Sequence, residues 1–212
     1  MAEAQTKLSL DVWSDVVCPW CWIGKHRLEL ALRKTGLADK VQWRFHAFEL
    51  GSRQQKPQPV LEHLAAKYGL SMEEAGQMTA RVAGLGAELG LTMNMAGCIS
   101  APTYDAHRLL QWAQSLGQGP AMAEILHQTH FTRNLDVSDH GVLAAAAQEA
   151  GLDQALARGV LESQAFGKDV EQDLRRAADY EITGVPFTLI GGRWGVPGAQ
   201  SVDVFAETLS KP

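Results

Sequence analysis

The described pattern of the chain begins with alternation. Leu8, Leu10 and Val12 are interleaved with Ser9 and Asp11, which is the period-two signature of a strand. The period then lengthens. Pro19–Thr35 reads as a helix, with Arg33 and Lys34 near its negative pole and Gly36 as its stop. Alternation returns at 41–48, where Val41, Trp43, Phe45 and Ala47 share one face. Strand, helix and strand in this order, with a connection of this length, predict a parallel βαβ unit.

From 57 to about 165 the pattern is helix after helix. Leu61, Leu64, Ala65 and Tyr68 recur at helical spacing behind Pro59. Ser71 and Glu74 form a capping box ahead of Ala75, Met78, Val82, Leu85 and Leu89, and Gly90 closes that helix. A helix over 104–116 turns Leu109, Leu110 and Ala113 inward, and further helices are predicted over 122–132, 139–150 and 153–162. One more, over about 166–180, returns the chain to β structure. Phe187 to Ile190 read as a strand, Gly191 and Gly192 as a hairpin turn, and Arg193 to Val196 as the returning strand. Val202, Phe205, Ala206 and Leu209 form the inward face of a last helix. The flanks, 1–56 with 166–212, are therefore expected to form one α/β domain, and 57–165 an inserted helical domain.

Composition narrows the function classes. With 46% apolar and 20% charged residues among 212, an ordinary globular protein is expected. A net charge of −5 without a basic cluster argues against nucleic acid or an anionic membrane as the main partner. The first ten residues hold one lysine and no apolar core, so no secretory signal is expected, and no run is long enough to span a bilayer. Three cysteines in such a chain point to a reducing, cytoplasmic setting where a disulfide is transient.

The chemistry concentrates in Cys18-Pro19-Trp20-Cys21, directly after the first strand and at the start of the first helix. Unpaired N–H groups and the dipole at a helix N-terminus favour an anion. The Cys18 thiol is therefore expected to ionise below the free value of about 8.5. Pro19 suits the first helical position, where its missing N–H costs nothing. Two cysteines at this spacing can close and reopen a small disulfide. A structural zinc site needs four ligands, and only Cys98 remains, with no suitably spaced His pair beside it. No metal is expected, and His127 and His130 read as polar positions on a helix.

Together with Gly184-Val185-Pro186-Phe187, Val196-Pro197-Gly198-Ala199-Gln200 and Thr103-Tyr104-Asp105-Ala106-His107-Arg108-Leu109, this layout resembles the thioredoxin fold as elaborated in the DsbA family. The segment from Ser14-Asp15 through Gly24 is similar to the FrnE-like cytosolic branch. The resemblance covers nearly the whole chain and implies an α/β thioredoxin fold with a large helical insertion. It implies thiol–disulfide exchange, with Cys18 facing solvent as the attacking thiol and Cys21 resolving the mixed disulfide. Pro186 is implied to be a cis proline beside the pair, with the Val185 backbone and Trp20 contacting substrate. The DsbA oxidase has histidine where this chain has Trp20. An indole carries no positive charge, so a less oxidising pair is expected, and Asp15 would act in the same direction if close and charged.

The remaining residues read more plainly. Lys25 and His26 lie too far along the helix to tune Cys18, and His26 reads as a surface residue. Asp105, His107 and Arg108 read as capping or inter-helix hydrogen bonders, and Cys98 as a small buried hydrophobe. Trp13 is compatible with the core, and Met93 and Met95 with the interface between the two parts. The partners expected are thiol- or disulfide-bearing proteins or small molecules, with no resident cofactor and glutathione as an optional co-substrate. Monomer and homodimer are both compatible with the sequence. Two alternatives share the layout. One is a glutathione-dependent isomerase of the kappa or 2-hydroxychromene-2-carboxylate isomerase type, which usually replaces the first cysteine with serine. The other is a non-catalytic thioredoxin-like binding or chaperone module.

Overall fold

A computed structural model describes residues 7–211. Residues 1–6 and 212, which belong to the segment read as lacking a secretory signal and to the flanking domain, lie outside the described residues. The alternating start forms β1 (Leu8–Ser14), the proline-led run α1 (Pro19–Thr35), and the second alternation β2 (Val41–Ala47). A two-residue strand β3 (Gln58–Pro59) leads into α2 (Val60–Tyr68) and α3 (Met72–Ala87); its antiparallel partner β4 (Ile99–Ser100) precedes α4 (Tyr104–Ser115). The helices continue as α5 (Gly119–His127), α6 (His140–Glu149), α7 (Gln154–Glu162) and α8 (Gly167–Asp179). The chain ends with the hairpin β5 (Phe187–Ile190) and β6 (Trp194–Pro197), then α9 (Val202–Leu209).

Local chemistry sets these boundaries. Gly36 closes α1 in the left-handed region, at φ 67°, where a side chain would be strained. Ser71 and Glu74 complete both hydrogen bonds of the capping box on α3. Asp139 and Asp153 cap α6 and α7 by accepting from the Val142 and Leu156 N–H groups. The helix expected over 122–132 divides instead. After α5 the chain widens into a π-helical turn over Gln128–Thr132, with an extra residue in the turn.

The main sheet runs β2-β1-β5-β6. β1 pairs in parallel with β2 and antiparallel with β5, while β5 and β6 form the closing hairpin. Leu10 packs with Leu28 and Leu32 of α1 and with Phe205 of α9. Val12, Val16 and Phe45 join Leu109, Leu126 and Leu143 in one cluster, so α4, α5 and α6 share a core with the strands.

β1 departs from a simple half-buried strand. Its polar alternate Asp11 is only 5% exposed, because α8 covers that side of the sheet. His46 of β2 makes this burial tolerable. Its Nε2 lies 2.9 Å from Asp11 Oδ1 and its Nδ1 lies 2.6 Å from Asp173 Oδ1 of α8. The second Asp173 oxygen accepts from the Ala47 N–H and from Gln111 of α4. Burial alone would push the His46 pKa down, but hydrogen bonds to Asp11 and Asp173 outweigh it and the net shift is upward.

A raised folded-state pKa stabilises the fold below the unfolded value of about 6.5, and that contribution is lost as pH climbs through the folded value. Urea unfolding followed across neutral to alkaline pH should therefore show declining stability. His46→Leu should remove that decline and cost about 3–5 kcal/mol near pH 6, since it strands two buried carboxylates. An alkaline slope unchanged in the variant would refute this role.

Candidate functional site

β1 ends at Ser14, and a short turn through Asp15 delivers Cys18 to the start of α1. The Cys18 N–H donates to the Asp15 carbonyl at 3.1 Å. Cys18 is the residue that begins the helix, with extended backbone (φ −92°, ψ 110°), and Pro19 takes the first helical position. No acidic side chain lies in that first turn. The Cys21 N–H reaches back to the Cys18 carbonyl at 3.0 Å. The two cysteines thus sit one turn apart at the positive end of a 17-residue helix, both as free thiols.

Cys18 does not face solvent as expected. Both thiol residues are 3% exposed, because the loop before β5 closes over the pair. The Cys18 thiol donates to the Val185 carbonyl at 3.6 Å. Trp20 remains the exposed member of the motif, at 39%. Burial pushes the Cys21 thiol well above the ordinary range, and its hydrogen bond with Cys18 adds to this. The Ser14 side chain and the Asp15 backbone act in the opposite direction.

The covering loop is held tightly. The Val185–Pro186 peptide bond is cis. The Pro186 carbonyl accepts from the Gly198 N–H at 2.8 Å, and Arg27 of α1 donates to the Ala199 carbonyl at 2.7 Å. Gly24 permits this approach. A Cβ there would sit 3.1 Å from Pro186 Cγ and 3.4 Å from the Ala199 Cα.

Beneath the pair lies a polar layer. His127 and His130, read from the sequence as polar positions on a helix, are buried, each 2% exposed. His127, Trp22 and Phe131 pack as a mutual trio of near-parallel rings. His127 ends α5 and His130 lies in the π-helical turn that follows, and both are buried. Burial drives each imidazole pKa down to about 4. Asp15 is fully buried; one carboxylate oxygen accepts from the Leu50 N–H at 2.8 Å and the other lies 3.4 Å from His107 Nε2. The Asp15 backbone, not its carboxylate, is what acts on Cys21.

A second cluster centres on Glu124, which the sequence reading did not single out. Its carboxylate accepts from the Trp22 indole at 3.1 Å and from Lys25 at 2.8 Å, and His26 lies 3.1 Å away. Burial opposes ionisation, yet His26 and Lys25 hold this carboxyl well below the usual range. Lys25 and His26 thus tie α1 to α5. A lone Glu on a helix carries no signal of such partners; only the fold brings them together. Arg108 bonds Asp105 and the carbonyls of Val160, Ser163 and Ala165, a helix-to-helix clamp. Cys98 is buried against Asn134, and burial raises its thiol to about 12. Trp13 is fully buried, and Met93 and Met95 pack with Trp22, Ile23 and Phe131.

A cavity of about 450 Å³ opens beside Cys18, between the start of α1 and the α2–α3 pair. Trp20, Val185, Met95 and Cys98 border it together with Val60, Leu64, Val82 and Phe131. No cluster of His, Cys, Asp and Glu able to hold a metal exists among the described residues.

The model of the DSBA-like thioredoxin domain matches residues 9–210. This chain belongs to that family. The DSBA-like assignment agrees with a probable DsbA oxidoreductase from Streptomyces coelicolor, 36% identical with a TM-score of 0.91, covering 96% of this chain and 88% of the other. The uncharacterised YwbO protein of Bacillus subtilis is 29% identical over 203 residues, 95% of each chain. The fold is also shared by the cytosolic disulfide reductase DsbM from Pseudomonas aeruginosa, solved with GSH, at 18% identity and a TM-score of 0.63 over 95% of this chain and 96% of that one. The DSBA-like thioredoxin fold expected from the sequence is the fold observed, and it is consistent with oxidoreductase chemistry at a CxxC pair.

The neutral histidines carry a measurable consequence. Because their folded pKa lies near 4, against about 6.5 unfolded, the unfolded chain binds more protons between those values. Stability should therefore fall as pH drops through that window, by about 3 kcal/mol for each histidine. His127→Phe keeps the ring stack and should move the acid-unfolding midpoint, followed by circular dichroism, to lower pH. An unmoved midpoint would count against the neutral buried imidazole.

Proposed function

We propose that this protein is a cytoplasmic thiol–disulfide oxidoreductase of the FrnE-like kind, acting through a mixed disulfide on Cys18. The observation that carries this reading is the pair of free thiols at the positive end of α1, one turn apart, against the Val185–Pro186 loop. Cys18 Sγ, at the start of α1, attacks as the thiolate one sulfur of a substrate disulfide; the other sulfur leaves as a thiolate and takes a proton from solvent. Cys21 then loses its proton and attacks Cys18 Sγ. The substrate leaves as a thiol, and the protein keeps a Cys18–Cys21 disulfide. Run backwards, the same steps place a disulfide in the substrate.

The burial that raises Cys21 suits the resolving role, since it stays protonated until a mixed disulfide forms beside it. Val185 offers backbone next to the sulfur, where an extended substrate segment can be added as a strand. Trp20 supplies an exposed apolar contact at the rim. Without a positive charge at position 20, the pair is a weaker oxidant than one with histidine there. Both thiols are retained, which favours exchange over the isomerase chemistry of relatives that carry serine. The GSH-bearing DsbM structure supports a low-molecular-weight thiol as the agent that recycles the pair.

The reading is tested by reduction of insulin with dithiothreitol as the electron source. Cys18→Ser should lower turnover by at least about a hundredfold, leaving only the background rate. Cys21→Ser should instead accumulate a covalent adduct on Cys18, visible by intact-mass spectrometry and released by reductant. Wild-type turnover in the Cys18 variant would end the mechanism.

A further inference from the structure

The cavity beside Cys18 has a chemistry of its own. Its volume, about 450 Å³, falls in the range of sites that enclose a small molecule. A polypeptide strand would lie along the surface at Val185 and has no need of a hole between helices. The walls are mainly apolar: Val60 and Leu64 from α2, Val82 from α3, and Phe131. Met78 and Met95 add unbranched thioethers that adapt to irregular ligands. Leu64 and Tyr68, which helical spacing turns inward, border this space instead of a packed core. α2 has no fully buried residue, and Tyr68 is 57% exposed.

The charge around the cavity is one-sided. Lys67 borders it, together with His63 and Gln55, and no Asp or Glu lines it. Among the described residues Lys67 has no carboxylate partner; its ammonium lies 5.6 Å from the Tyr68 ring and faces the His63 imidazole, whose pKa burial and this charge lower. A tripeptide such as glutathione would bury two amides, an ammonium and two carboxylates against these apolar walls, at a cost its few available partners do not offset.

We propose that this cavity binds low-molecular-weight disulfides with an apolar, ring-sized body and a carboxylate that pairs with Lys67. The inference rests on the exchange chemistry proposed above and names its substrate class. In the reaction the Cys18 thiolate forms a bond to one sulfur of R–S–S–R, and the other sulfur departs as RS⁻ and is protonated by solvent. Cys21 releases its proton to solvent and attacks Cys18 Sγ, expelling the second RS⁻. The substrate disulfide gains two electrons and yields two thiols, while the protein dithiol becomes the Cys18–Cys21 disulfide.

The test mixes reduced full-length protein with dithiodibenzoate or with its neutral analogue dithiodibenzamide, and follows the single-turnover rate against concentration. The expected result is saturation with both, and a half-saturating concentration about tenfold lower for the carboxylate, as one charge-assisted hydrogen bond supplies. Lys67→Met should bring the two half-saturations together. Val82→Trp, which fills the cavity, should turn the saturating curve into a straight line. Should that variant misfold, the Lys67 comparison stands alone, because Lys67 is exposed. Rates linear in both disulfides, or equal half-saturations in the unaltered protein, overturn the pocket while leaving exchange intact. Failure of dithiodibenzoate, oxidised glutathione and insulin alike to oxidise the pair would overturn the exchange reading itself.

Discussion

One histidine-centred network joins four separate elements under the sheet. His46 stands on β2 and bonds Asp11 of β1 and Asp173 of α8, and Asp173 in turn holds Gln111 of α4. β1 must be covered on both sides to sit inside the sheet, which forces Asp11 out of water. A carboxylate so placed is tolerated only with a partner charge and filled lone pairs. The network provides both. It ties β1 to β2 and α8 shortly before the chain turns into α1, where the first sulfur stands.

Above that foundation the site is built from two unlike halves. One is polar and closed: the α1 start, the Val185–Pro186 loop and the layer of neutral histidines beneath. The other is apolar and open: α2 and α3 around the cavity. The dithiol lies on the boundary between them. Burial on one side raises the Cys21 thiol, while room on the other decides what reaches the pair.

Much of this was legible in the chain. Alternation located β1 and β2, Gly36 located the end of α1, and the Ser71–Glu74 pair located the start of α3. Those signals are local, carried by residues a few positions apart. The motif Cys18-Pro19-Trp20-Cys21 was legible for the same reason. What escaped depends on distant partners. Asp11 reads as the outward member of a strand until α8, more than a hundred and fifty residues later, covers it. His127 and His130 read only as polar positions on a helix; that both rings are buried, against Trp22 and Phe131, follows from partners elsewhere in the fold. Glu124 gathers a tryptophan, a lysine and a histidine that no spacing in the sequence announces.

Gly24 shows how motion is distributed around the site. With no side chain at that position, α1 and the Pro186–Ala199 loop touch backbone to ring, and Arg27 bolts them together. That jaw is stiff: a hinge between its halves would have to break close contacts all along its length. Any adjustment to visitors of different shape must come from the opposite jaw, where two helices meet the remainder of the fold through pliable methionines.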